Sequence, residues 1–164
     1  MGEEEKEGII ENTGVLNLKD ITEEEIGRIK KIRNVGVLIV PKNLVGRLSA
    51  KIENIGTVVP YEEGVRIYAG KSKINADALN AIEEPISIVN AGKIIIDKTV
   101  TAELVRQKIK EIKNYGKIIV PEKTYGALMS KVSENMGKVE MLEKVIEERI
   151  KELERELKEL QESK

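Results

Sequence analysis

The chain has 164 residues, enough for a real core, and its 28 Lys and Arg against 29 Asp and Glu leave a net charge of −1. That balance argues against nucleic acid as the main partner. It contains no Cys, His, Phe or Trp, which excludes disulfides, thiolate nucleophiles and the commonest general base and metal ligand.

The core must therefore come from Ile, Val, Leu, Ala and four Tyr. No apolar run reaches the ~18 residues of a membrane span, and the N-terminus lacks the apolar stretch of a signal peptide. A cytoplasmic location is the default expectation. The abundance of Ile, Lys and Glu points to a thermophilic source.

Residues 1–8 are charged and read as a disordered acidic leader. Val15-Leu16-Asn17-Leu18 alternates as a short strand does. Thr22-Glu23-Glu24-Glu25 is a capping box, and Ile26, Ile29 and Ile32 then share one helical face, with Arg28, Lys30 and Lys31 near its end. Asn34-Val35-Gly36 should stop that helix, since Asn and Gly tolerate the left-handed conformation. Residues 37–40 are wholly apolar, as in a strand covered on both faces. Pro41 opens a second helix, with Leu44, Val45, Leu48 and Ile52 as its buried stripe. Asn54-Ile55-Gly56 turns the chain into a strand at 57–60.

The pattern breaks over 61–89, which reads as a junction: a strand at 65–69, a polar turn at Gly70-Lys71-Ser72, a helix at 74–82 and a strand at 85–89. Then the text resumes. A strand at 93–96 precedes a helix capped by Thr101 and running through Leu104, Val105, Ile109 and Ile112. A strand at 117–120 follows, and Pro121 opens a helix carrying Tyr125, Leu128, Met129 and Val132. Residues 139–164 form one long charged helix.

The repetition is literal. Asn12-Thr13-Gly14, Asn34-Val35-Gly36 and Asn54-Ile55-Gly56 recur as Asn90-Ala91-Gly92, Asn114-Tyr115-Gly116 and Asn135-Met136-Gly137. Gly36, Val40, Pro41, Gly46, Leu48 and Lys51 match Gly116, Val120, Pro121, Gly126, Leu128 and Lys131 without a gap. Such short strand-plus-helix units bury their apolar faces only by stacking. The expected fold is α/β: an internally duplicated repeat domain over 9–138, either a short solenoid or a pseudo-twofold α/β domain, followed by a C-terminal coiled-coil helix over 139–164. The recurrent units with an Asn at each turn, over roughly residues 12–137, resemble the leucine-rich-repeat class of solenoids. The resemblance implies a strand-and-helix coil and carries over no binding residues.

Little in the text promises chemistry. A phosphate loop ending at Gly70-Lys71-Ser72 would need glycine at position 65, which is Val65. Glu62-Glu63 and Glu83-Glu84 read as solvated surface, and Asp20, Asp77 and Asp97 stand singly, short of the convergent oxygens a hard cation needs. The expectation is a non-enzymatic chain without cofactor or metal, an interaction or self-assembly scaffold with an unidentified protein partner. Tyr61 and Tyr68 are candidate interface anchors. Arg66, Lys71 and Lys73 cluster in the irregular 61–75 segment, and the alternative is a regulatory module binding a small ligand or nucleic acid there.

The C-terminal helix carries Leu142, Ile146, Ile150, Leu153, Leu157 and Leu160 at spacings of four, four, three, four and three. This is a heptad seam with one stutter. Glu147 with Lys151 and Glu154 with Lys158 stand at the favourable Glu-first spacing of four. The seam is expected to join copies of the chain as a parallel dimer or trimer.

Overall fold

The computed structural model describes residues 8–163. The expected acidic leader lies outside the described residues except for Gly8. The chain divides into two compact units, residues 1–65 and 66–164. It is an α/β protein whose described strands, eleven in number, all lie in three sheets. Every strand pair for which a register is resolved runs parallel.

The first unit holds β1 (Ile9–Asn17), α1 (Glu23–Arg28), β2 (Lys31–Pro41), a 3-10 turn (Lys42–Leu44) leading into α2 (Val45–Leu48), and β3 (Ile52–Tyr61). The sheet order is β1-β2-β3, with Ile10, Ile32 and Ile52 in one row and Leu16, Leu38 and Val58 in another. Its core is Ile26, Ile29, Ile32, Val35, Leu38, Val40, Leu44 and Leu48. Thr22 caps α1 as expected, its hydroxyl accepting from the Glu25 amide at 3.2 Å.

The second unit stacks four coils, each a strand, a corner, a second strand and a helix. They are β4 (Val65–Tyr68), β5 (Lys71–Ile74) and α3 (Ala76–Asn80); β6 (Ile86–Asn90), β7 (Lys93–Ile96) and α4 (Ala102–Lys108); β8 (Ile109–Asn114), β9 (Lys117–Val120) and α5 (Glu122–Met129); and β10 (Val132–Asn135), β11 (Lys138–Met141) and α6 (Leu142–Glu162). The first strands form one sheet in the order β4-β6-β8-β10, and the second strands another, β5-β7-β9-β11. Buried Ile, Val and Leu of strands and helices, with Ala127, fill the space inside the coils. Neither unit could bury these rows as a single coil, so stacking carries the stability.

Several expectations need correcting, and one cause explains most of them. A strand precedes Asn34, Asn54, Asn114 and Asn135 where a helix end was expected. Ile32 lies in β2, Ile52 in β3, Ile109 and Ile112 in β8, and Val132 in β10, so α1, α2, α4 and α5 stop short of them. Residues three apart face the same side in a helix, but a strand achieves the same with an irregularity. Between β6 and β8 the register shifts, Ile86 pairing with Ile109 but Ser87 with Glu111. Lys110 is the extra residue, and Ile109 and Ile112 are both buried.

The supposed junction over 61–89 contains a complete coil, residues 65–80; Gly70 lies in its corner, and Lys71-Ser72, expected as part of a polar turn, open β5. The long helix begins at Leu142, because residues 138–141 are β11 and close a fourth coil.

The two halves share their exit from helix to strand. The Ile32 amide donates to the Lys51 carbonyl at 2.9 Å, and the Ile112 amide donates to that of Lys131 at 2.7 Å. Glycine at the corners is required by the stacking itself. A Cβ on Gly116 would collide with the carbonyl oxygen of Gly92 in the coil below, whereas one on Gly126, in α5, meets nothing within 4 Å. Gly116→Ala is therefore expected to cost about 3 kcal/mol, the upper end for overpacking. Gly126→Ala should gain roughly 0.5–1 kcal/mol by restoring helix propensity. Urea unfolding of the two variants checks this; equal effects would contradict the stacking.

Candidate functional site

The corners show how one motif is built two ways. In the first unit Asn12, Asn34 and Asn54 take φ of 59°, 56° and 56°, and their side chains are exposed. They link outside the sheet, Asn54 donating to Asn34 at 2.8 Å and Asn34 to Asn12 at 3.2 Å. The residue between Asn and Gly turns inward, and Val35 is fully buried.

In the second unit the order inverts. Asn90 and Asn114 are wholly buried with no positive φ. The Asn114 amide donates to Asn135 Oδ1 at 2.9 Å, the Lys138 carbonyl at 3.1 Å and the Gly116 carbonyl at 3.2 Å. Its Oδ1 accepts from Asn90 at 2.9 Å and from the Gly116 amide at 3.2 Å. Of the middle residues, Tyr115 and Met136 lie outward, Met136 being 65% exposed, while the small Ala91 is buried. Asn34 and Asn114 thus sit in matching places of the text but in different turns.

Of the candidates near 61–75, Tyr61 and Tyr68 are half-buried, while Arg66, Lys71 and Lys73 are exposed. Tyr61 ends β3, and the Lys19 ammonium lies 5.9 Å from its ring centre. Tyr68 packs against the core of the second unit. Arg66 projects from β4, and Lys71 and Lys73 from one face of β5.

Lys73 pairs with Asp97 at 3.2 Å. Hydrogen bonds from the Thr99 hydroxyl and amide, and then Lys73, hold the Asp97 carboxyl down at about 2. A depressed carboxylate supports the fold above its ordinary value of 3.8, and that support is lost as pH falls toward 2. Lys73→Ala should leave the Asp97 midpoint, followed by carbon-detected NMR, well below 3.8, because Thr99 contributes most. Burial, then the Glu134 carboxylate accepting from its hydroxyl at 3.0 Å, pushes Tyr115 up to about 12.

Among the described residues, no three acidic side chains converge on a metal-sized site. Among those residues, no buried side-chain nitrogen or oxygen lacks a hydrogen-bond partner. A shallow cavity of about 230 Å³ lies at the foot of α6, between Tyr125, Val139, Met141 and Val145.

That foot is anchored. The Glu143 carboxylate accepts from the Glu122 amide, the first of α5, at 2.8 Å, which suits a helix N-terminus. Leu142 and Val145 are half-buried. Beyond them the seam is bare: Ile146, Ile150, Leu153, Leu157 and Leu160 are 45–64% exposed. Of the two ion pairs expected on α6, Glu147–Lys151 forms at 3.3 Å; Glu154 and Lys158 are apart, while Arg149 pairs with Glu152.

No helix among the described residues is long and apolar enough to cross a membrane. Comparison of the chain with protein-family models, curated proteins and solved structures finds no match.

Proposed function

We propose that the chain is a non-enzymatic scaffold that assembles with copies of itself through α6, its stacked units offering a rigid surface to a protein partner in the cytoplasm. The observation that carries this reading is the bare seam. Its five large apolar side chains are each about half exposed, on a helix of 21 residues, about 31 Å long. An apolar edge of that length is poorly satisfied in water, and a second copy of the same helix is its best complement.

The flanks favour parallel pairing. With Ile150 and Leu157 at the a positions, Arg149 of one copy faces Glu154 of the other across the seam, charges of opposite sign. The mixture of Ile and Leu along the seam leaves dimer and trimer both open.

Because the chain has no cysteine, one introduced thiol reports the pairing cleanly. Leu153→Cys is expected to give a disulfide-linked dimer on mild oxidation. Arg155→Cys, off the seam, should stay largely unlinked. Equal cross-linking of both variants would contradict a parallel seam.

A further inference from the structure

We propose that the second unit also binds a single strand of nucleic acid along a column of four lysines. Lys71, Lys93, Lys117 and Lys138 are direct neighbours in register, one from each of β5, β7, β9 and β11. They alternate with the buried Ile94 and Ile118, so their side chains point away from the coil interior. At about 4.8 Å per strand the column is about 14 Å long. A stacked nucleic-acid strand rises about 3.4 Å per phosphate, so about four phosphates lie alongside it.

Coil geometry does not ask for lysine at this place. In the first unit the residues that follow the corner glycines are Val15, Val37 and Thr57, also in register. Like charges directly opposite one another destabilise a sheet, and a column of four repeats that penalty at every step. An anion laid along the column removes it.

The charges are largely unspent. Lys117 is 3.5 Å from Glu140, but Lys71, Lys93 and Lys138 make no ion pair among the described residues. Lys73, two residues along β5, is occupied by Asp97. Glu134 and Glu140 are the carboxylates nearby, the former engaged by the Tyr115 hydroxyl.

The surroundings suit a single strand better than a duplex. Beside the lysines runs a row of corner glycines, Gly70, Gly92, Gly116 and Gly137, which carry no side chains. Past the glycines, Tyr115 offers a half-exposed ring on which a base can stack. The basic feature is one line wide, and a chain of net charge −1 has no broad positive face for a duplex.

Fluorescence anisotropy of a labelled deoxythymidine 12-mer, titrated with the full chain across a salt series, tests the proposal. Four neutralised phosphates predict a slope of log affinity on log salt of about −2.8. Lys93→Val with Lys117→Val, which installs the first unit's residue, should weaken binding at least tenfold and reduce the slope to about −1.4. Circular dichroism establishes that this variant is folded. Lys98→Val with Lys123→Val, off the column, should change neither quantity.

Three results would overturn the assignment. One is no binding at about 100 µM protein in about 20 mM salt. Another is unchanged affinity when all four column lysines are replaced. The third is displacement of the oligonucleotide by poly-glutamate of equal length as readily as by unlabelled 12-mer, which would make the column a site for acidic peptide.

Discussion

Asn114→Ala is expected to lower the unfolding free energy by about 3 to 5 kcal/mol, and Asn34→Ala by only about 1 kcal/mol, although the two occupy matching places in the repeat. Asn114 is fully buried and holds five hydrogen bonds that tie three successive coils at one corner. Alanine leaves the amides of Gly116 and Asn90 and the carbonyl of Lys138 short of a partner. Each unsatisfied buried group costs roughly 1–3 kcal/mol, with Asn90 keeping other acceptors.

Asn34 is exposed, and its bonds compete with water. What it supplies is tolerance of φ 56°, so Asn34→Gly should be close to neutral and Asn114→Gly should remain severe. Urea unfolding of the four variants decides this. Equal losses at the two asparagines would mean the corners are alike after all.

The second large effect is expected at the seam. Leu153→Glu with Leu157→Glu places two charges at the centre of the paired helices and should abolish association at tens of micromolar. Both side chains are about half exposed in the single chain, so the fold itself should lose little. A concentration-dependent unfolding midpoint in the parent, absent in the variant, is the thermodynamic signature of the same event.

Parts of this architecture were legible in the text because local chemistry decides them alone. The Thr101 cap is as expected, its hydroxyl accepting from the Leu104 amide at 3.1 Å, and strands 93–96 and 117–120 have the expected bounds. Thr22 and Pro121 likewise mark the starts of α1 and α5.

The strand before Asn90 was legible, but those before Asn34 and Asn114 were not, because Ile-x-x-Ile at 29–32 and 109–112 satisfies a helix and an irregular strand equally well, and stacking chose between them. One available signal separates the two corner types. The residue between Asn and Gly is β-branched in the first unit, Thr13, Val35 and Ile55, and never in the second, Ala91, Tyr115 and Met136. A β-branched residue favours extended backbone and, like Val35, goes into the core, leaving the asparagine outside.

The lysine column was present in the letters as four Gly-Lys pairs, yet only strand register reveals it as one line. Reading Arg66, Lys71 and Lys73 as a local cluster grouped residues by position in the chain. Register groups Lys71 with residues up to 67 positions away.

Sedimentation velocity of the full chain beside one ending at Val145 tests whether the seam in α6 joins copies of the chain. The cut keeps β11 and the anchored foot of the helix and removes only the exposed part. The full chain should run as a dimer or trimer at tens of micromolar and the shortened chain as a folded monomer. If both run as monomers, α6 does not join copies of this chain.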